Sequence, residues 1–226
     1  MLKALTLKEL REIAVFAAIS VAAFGYCLAR GVGYRLPPGP TVAPVPFLGD
    51  RFTVEAAAIS FCLAVLLGFE QSFLESMRGA WTWLFYRPIS RRKLIAAKLF
   101  VGAAAYLLCS APPLVAYAWW ASLPDKHAGP FEWSMTAEAW RRCLWMLAIY
   151  FGSFLSGIWP GRWFGTRLLP LFGVAALSSL ALAGPSKSLQ YLIPGWWHYW
   201  SWAWFALIAA GTIYSILYLA KSRDFS

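Results

Sequence analysis

Carboxylates at both ends of one apolar run are the residues of this sequence best placed to do chemistry. Glu55 opens the run, and Glu70 and Glu75 close it. The fourteen residues between Glu55 and Glu70 rise about 21 Å as a helix, whereas the hydrocarbon core of a bilayer is about 30 Å thick. An acid must therefore approach the apolar layer, where it is a candidate functional group. We expect Glu70 to pair with a cation of the next loop. The sequence leaves open whether Glu70 forms a structural salt bridge or is a functional acid.

That loop, residues 69–98, combines aromatic side chains with six cations. Pro88 ends one helix, and Ser90 is a suitable N-cap for a helix that begins at Arg91. Large apolar side chains among cations are not expected to face water, so the loop should lie on the membrane or dock into a groove of a partner. The residues that define it are Glu75, Arg78, Trp81, Trp83, Arg87, Pro88, Arg91 and Arg92.

Motifs for catalysis or metal binding are missing from the sequence. It has no P-loop and no H-E-x-x-H motif, and its two histidines, His127 and His198, fall in predicted outer loops. The four cysteines have no paired spacing, which favours buried small side chains over disulfides or zinc ligands. We therefore predict no catalytic residue, no metal site and no cofactor bound by this chain.

The composition is that of a membrane protein. Apolar residues make up 60% of the chain and charged residues only 13%, whereas soluble domains carry about 25% charged residues. The net charge of +10 does not indicate nucleic acid, because the cations lie between apolar runs rather than on one face. Their arrangement is typical of orientation in an anionic membrane.

Runs without charged residues predict an all-α integral membrane protein with six spans in a single domain, residues 1–226. The spans are expected at about 13–30, 53–74, 94–120, 139–159, 167–184 and 201–220. Leu36–Gly49 carries five prolines and is predicted to be a loop. The first run resembles a signal peptide, but the acids Glu9 and Glu12 before it favour a retained helix.

The amino-terminal segment Met1–Glu12 alternates leucines with charged residues. This pattern predicts an amphipathic helix on the inner membrane surface that turns into the first span, with an ordinary basic leader as the open alternative. Near the other terminus, Pro185 and Pro194 break an aromatic-rich stretch between the last two spans. We predict a short outer re-entrant segment there, which contains Tyr191, Pro194 and Gly195.

Lysine and arginine positions predict that both termini are cytoplasmic. In this orientation 13 of the 20 Lys and Arg residues lie in inner segments and 7 in outer ones. Tryptophans such as Trp119, Trp120, Trp133 and Trp140 fall at predicted span ends, where indole rings favour the headgroup region.

The loop and its neighbours resemble the membrane subunit of ABC type-2 transporters. The resemblance rests on Phe69-Glu70, on Gly79 followed by Leu84-Phe85-Tyr86-Arg87-Pro88-Ile89-Ser90-Arg91, and on Lys98 at the start of the third span. The stretch Leu189–Pro194 is similar to the family's outer re-entrant segment. The stretch from Tyr218 to Phe225 is similar to the family's carboxy-terminal tail. The aromatic run Trp81, Trp83, Phe85 and Tyr86 departs from the family, which is more often aliphatic or polar there.

The resemblance implies a permease of the plasma membrane that pairs with a second copy or a similar subunit. A separate cytoplasmic ATPase, which holds ATP and Mg, would push on a coupling helix between the second and third spans, usually for export. ATPase coupling would then fall to Glu75, Arg78, Trp81, Trp83, Arg87, Pro88, Arg91 and Arg92. The alternatives are a structural or assembly protein whose loop binds another cytoplasmic partner, and an intramembrane enzyme.

The predicted orientation can be tested by labelling. In a variant without native cysteines, a cysteine at Arg91 or Lys93 should react with an impermeant maleimide only after the membrane is opened. Labelling of either position on intact cells would contradict the orientation.

Overall fold

A computed structural model describes most of the chain as a helical bundle. It describes residues 2–33, 45–47, 50–77, 90–123, 131–161, 163–183 and 196–222, and within these ranges all regular secondary structure is helical. The main helices are α1 (Leu2–Gly31), α2 (Arg51–Phe69), α3 (Arg91–Ala121), α4 (Ala137–Ile158), α5 (Phe164–Ala183) and α6 (Trp196–Ser222). A π-helical turn, Glu70–Leu74, and a last α-helical turn, Glu75–Met77, extend α2.

Long apolar helices confirm the prediction of a multi-pass membrane protein. Five segments are long and apolar enough to cross a bilayer, namely Thr6–Gly31, Arg51–Leu74, Arg91–Ala121, Gly165–Leu182 and Trp200–Lys221. Their outer faces carry large apolar side chains such as Phe100, Leu108 and Tyr214, each at least 70% exposed. Lipid solvates such faces, whereas water does not.

Helix α4 is not among these five, and it lies at the centre of the bundle. It contacts α2, α3, α5 and α6, and every residue from Ala148 to Ile158 is buried. Its first turns carry Glu138, Arg141 and Arg142, which make it less apolar than α2, α5 and α6. A helix surrounded by other helices does not need a continuous apolar surface toward lipid, so sequence hydropathy identifies it less well.

Helix α1 corrects the prediction of a separate surface helix. Residues 2–31 form one continuous helix, so the predicted turn into the first span is absent. The physical reason is a buried stripe at helical spacing that packs against α2 and α3 along the same face. The stripe consists of Glu9, Ile13, Ser20, Phe24 and Cys27.

Small residues bring α2 and α4 into direct contact. A Cβ atom at Gly68 would overlap the hydroxyl of Ser153, and one at Gly157 would overlap that of Ser72. Both helices therefore present a pair of small residues four positions apart, the pattern that allows close approach in membranes. Because Gly68 meets Ser153 and Ser72 meets Gly157, the two helices run in the same direction. Ser153 also donates a hydrogen bond to the carbonyl of Ala64, at 3.2 Å.

The end of the bundle that contains the start of α2 is fixed by polar contacts. Asp50 is the N-cap of α2 and accepts hydrogen bonds from the backbone N–H of Thr53, at 3.1 Å, and from the hydroxyl of Tyr117, at 2.6 Å. At the same end Arg30 pairs with Glu55, at 3.2 Å. These contacts join the end of α1, the start of α2 and the end of α3.

Substitution of Gly157 by alanine should disrupt the bundle. The added methyl group meets the Ser72 side chain and the backbone N of Phe73, and overpacking of this kind costs about 1–3 kcal/mol. Gly173→Ala in α5 is the matched control, because a Cβ there meets nothing within 4 Å. Thermal unfolding in detergent should show a lower melting temperature for Gly157→Ala alone, and equal values for the two variants would contradict the close packing.

Candidate functional site

A buried lysine is the centre of the candidate site. The side chain of Lys98, two turns into α3, is fully buried. Its ammonium group donates hydrogen bonds to Glu9 Oε1 of α1 and to Glu75 Oε2 at the end of the extended α2, both at 2.6 Å. A buried charge is tolerated when opposite charges and hydrogen bonds compensate for lost hydration, and here two carboxylates do so.

Two further residues complete the cluster toward its exposed side. Lys8 donates a hydrogen bond to Glu75 Oε1, at 2.9 Å, and lies 3.4 Å from Glu12. We call Lys8, Glu9, Glu12, Glu75 and Lys98 the ion cluster; it holds three carboxylates and two ammonium groups. One oxygen of Glu9 is buried without a hydrogen-bond partner.

The acidic members of the ion cluster also have the spacing of a metal site. Oxygens of Glu9, Glu12 and Glu75 lie within 4.8 Å of one another, which is compatible with an oxygen-ligated cation. However, both Glu9 and Glu75 already accept from Lys98, and Lys8 also bonds Glu75. A metal ion would have to displace these ammonium groups, so the geometry fits an ion-pair network better than a cation site.

The ion cluster lies at both ends of the segment between α2 and α3. Glu75 precedes residues 78–89 and Lys98 follows them, so the helices that flank this connector are bonded to each other and to α1. Arg91 and Arg92 begin α3 between the connector and Lys98. The amino-terminal helix and the base of the connector are therefore parts of one structural unit.

The π-helical turn directs Glu75 toward Lys98. A π-helix accommodates one residue more than an α-helix does, so it rotates everything after it by about 100°. The turn is anchored in the core, because Gln71 Oε1 accepts a hydrogen bond from the hydroxyl of Tyr150, at 2.7 Å. Tyr150 also lies 3.3 Å from the carbonyl oxygen of Leu99, next to Lys98. Helix α4 is thus in contact with the base of the connector.

Two of the predicted acids occupy different surroundings. Glu70 is buried and begins the π-helical turn. Glu55 is half-buried and pairs with Arg30 at the opposite end of the bundle.

The coupling set is only partly described. Glu75, a member of the predicted coupling set, is 2% exposed and bonded to two lysines of its own chain. Arg91 is half-buried and Arg92 is exposed. Ser90 occupies the predicted N-cap position of α3, but its side chain makes no capping hydrogen bond. The residues outside the described part of the chain are Arg78, Trp81, Trp83, Arg87, Pro88, Tyr191, Pro194 and Gly195.

Sequence reasoning missed Glu9 and Lys8 as partners of the connector. A usable signal was present, because Glu9 falls on the same helical face as the apolar Ile13 and Phe24. An acid on a buried helix face requires a cation. Lys98 lies on the same face of α3 as the apolar Leu94 and Ile95, so it was a candidate for that cation.

No family model, no curated protein and no solved structure matches this chain. The fold and the ion cluster therefore define its class without a family: a multi-pass helical membrane protein with a buried ion-pair network at one end of its bundle.

Replacement of Lys98 by methionine should strongly destabilise the protein. The change leaves Glu9 and Glu75 facing each other without their shared cation, and breaking a buried ion pair costs about 3–5 kcal/mol. Lys93→Met removes an exposed cation from the same helix and should have little effect. Both can be compared by thermal unfolding in detergent.

A compensating variant makes this test specific. Lys98→Met combined with Glu9→Gln and Glu75→Gln removes the uncompensated charges and should recover most of the lost stability. If Lys98→Met and Lys93→Met unfold at the same temperature, the ion cluster does not stabilise the fold.

Proposed function

We propose that the chain is the permease subunit of an ATP-driven exporter of the ABC type-2 kind. The observation that supports this proposal best is the pair of hydrogen bonds from Lys98 to Glu9 and Glu75. They hold the helices that flank the 78–89 connector against the amino-terminal helix. A coupling helix can transmit a push from a cytoplasmic ATPase only if its base is stiff, and this cluster supplies a stiff base.

The proposed topology has six spans, with both termini and the ion cluster on the cytoplasmic side. Helix α4 would be the fourth span, because its 22 residues rise about 33 Å and it runs in the same direction as α2. Exposed side chains at the cluster end include Arg11, Arg92 and Lys93. Positive charge at this end fits the positive-inside rule.

The same charges suggest the charge of the surface with which the partner would bind. Acids at the cluster end are largely internal, since Glu9 and Glu75 are buried against lysines. The remaining surface charge is positive, so it suits an acidic patch on the ATPase. ATP and Mg would bind to that subunit, and the chain itself would not be an enzyme.

The transport pathway would form between two such chains in the plasma membrane. Residues in the described spans carry few charges, which favours an apolar or amphipathic cargo over a hydrophilic ion.

Affinity purification in mild detergent tests the proposal. A protein with a P-loop and ATPase activity should co-purify with the chain. Trp83→Ala combined with Arg87→Ala should reduce its recovery without changing membrane insertion, because the aromatic ring and the cation would both contact the ATPase.

A matched control makes the same chemical changes at the opposite end. Trp119→Ala with Arg51→Ala removes an exposed tryptophan and an exposed arginine and should leave recovery unchanged. Equal recovery with the Trp83/Arg87 variant would count against the coupling role. A co-purifying partner without a nucleotide-binding motif would instead support the assembly-protein alternative.

A further inference from the structure

We propose that the ion cluster is a proton-binding site and that Glu9 holds the proton. The first observation is the charge balance of the cluster, which has three carboxylates but two ammonium groups. With all five groups ionised it would carry one net negative charge, although Glu9 and Glu75 are almost completely buried. One bound proton makes the ion cluster neutral.

The second observation is a carboxylate oxygen without a donor. Glu9 is 1% exposed, and its Oε1 accepts a hydrogen bond from Lys98, but its Oε2 is buried with no hydrogen-bond partner. An ionised oxygen in such a position loses its hydration and gains no donor in exchange, which penalises the charged form of the carboxyl group. A proton on Glu9 removes this penalty, and a proton needs no cavity.

The contacts of the other two acids assign the proton to Glu9. Glu75 accepts at both of its oxygens, from Lys8 at 2.9 Å and from Lys98 at 2.6 Å. A carboxylate with two cationic donors is stabilised in its ionised form. Glu12 is partly exposed, so water can solvate its charge. Among these three acids, Glu9 alone combines burial with a buried oxygen that has no donor.

A proton on Glu9 also has acceptors nearby. Oxygens of Glu9, Glu12 and Glu75 lie within 4.8 Å of one another. A small rotation of one carboxyl group would bring the new O–H within hydrogen-bond distance of a second acid, which is about 2.7 Å between oxygens. Acids this close favour sharing one proton, because ionising all of them brings like charges together.

Groups on the neighbouring elements do not supply the missing donor. From α3, Glu9 faces Lys98, which bonds its other oxygen. From the end of the extended α2 it faces Glu75, itself an acceptor, and the π-helical turn that contacts α1 carries a further acid, Glu70. From α4 it faces Tyr150, whose hydroxyl donates elsewhere.

Infrared spectroscopy of the purified full chain tests this assignment and does not depend on the proposed transport function. A protonated carboxyl group has a C=O stretching band that a carboxylate lacks. The difference spectrum of wild type minus Glu9→Gln should show this band at neutral pH and lose it as the pH is raised. Glu55→Gln is the matched control, because Glu55 is paired with Arg30 at the opposite end of the bundle, and its difference spectrum should lack the band.

The pH dependence of stability is a second measurement. If the folded chain holds a proton on Glu9 that the unfolded chain releases near pH 4.3, the folded state binds more protons than the unfolded state. Stability must then fall as the pH rises above about 5, by up to tenfold in the folded-to-unfolded ratio per pH unit, until the folded chain releases the proton as well.

Glutamine at position 9 imitates the protonated acid. Glu9→Gln should therefore unfold within a few degrees of wild type at neutral pH and should lose this part of the pH dependence, whereas Glu55→Gln should keep it. Thermal unfolding in detergent between pH 5 and pH 8 measures both effects.

Two outcomes would overturn the assignment. A difference spectrum of wild type minus Glu9→Gln without the band at neutral pH would show that Glu9 is ionised. If Glu9→Gln does not fold, wild type decides, since a melting temperature that stays constant or rises from pH 5 to pH 8 contradicts a proton bound in the folded state.

Discussion

Charged groups in a membrane helix bundle must meet each other, because hydrocarbon offers neither water nor counter-ions. Lys98 satisfies this constraint through Glu9 and Glu75, which belong to two other helices. The position of α1, the direction of the end of α2 and the start of α3 all depend on this one ammonium group. Without Lys98, the two buried carboxylates would share only the partly exposed Lys8 as a cation.

The other contacts arrange the helices around that point. Close packing of α2 on α4 through glycine and serine sets the depth of the π-helical turn, and the Tyr150–Gln71 hydrogen bond fixes its rotation. At the opposite end, Asp50 and Tyr117 hold the start of α2 against the end of α3. The three helices nearest the amino terminus are therefore fixed at both ends, and α4 supports them from within.

The sequence was a good guide to the helices and a poor guide to their contacts. Uncharged runs located the helical segments because lipid demands about 20 apolar residues in a row. The same reasoning placed Ser90 directly before α3, since proline and a small polar residue mark a helix boundary through local geometry. These properties depend on residues close together in the chain.

Contacts between distant residues did not follow from such patterns. Glu75 was placed in the coupling set of the loop, but one of its bonded partners, Lys8, is 67 positions away in the sequence. The one-residue excess of the π-helical turn, which aims Glu75 at Lys98, has no local signature. The predicted turn in α1 failed for a related reason, since the polar Glu9 lies on the buried face rather than on the solvent face.

The contact between α2 and α4 has a consequence for permeation. At Gly68 and Gly157 even a methyl group does not fit between these helices, so a water molecule does not fit there either. Any solute that crosses the membrane by way of this protein cannot travel along that seam. Such a solute would have to pass along other faces of these helices, where lipid or a neighbouring molecule would form part of the wall.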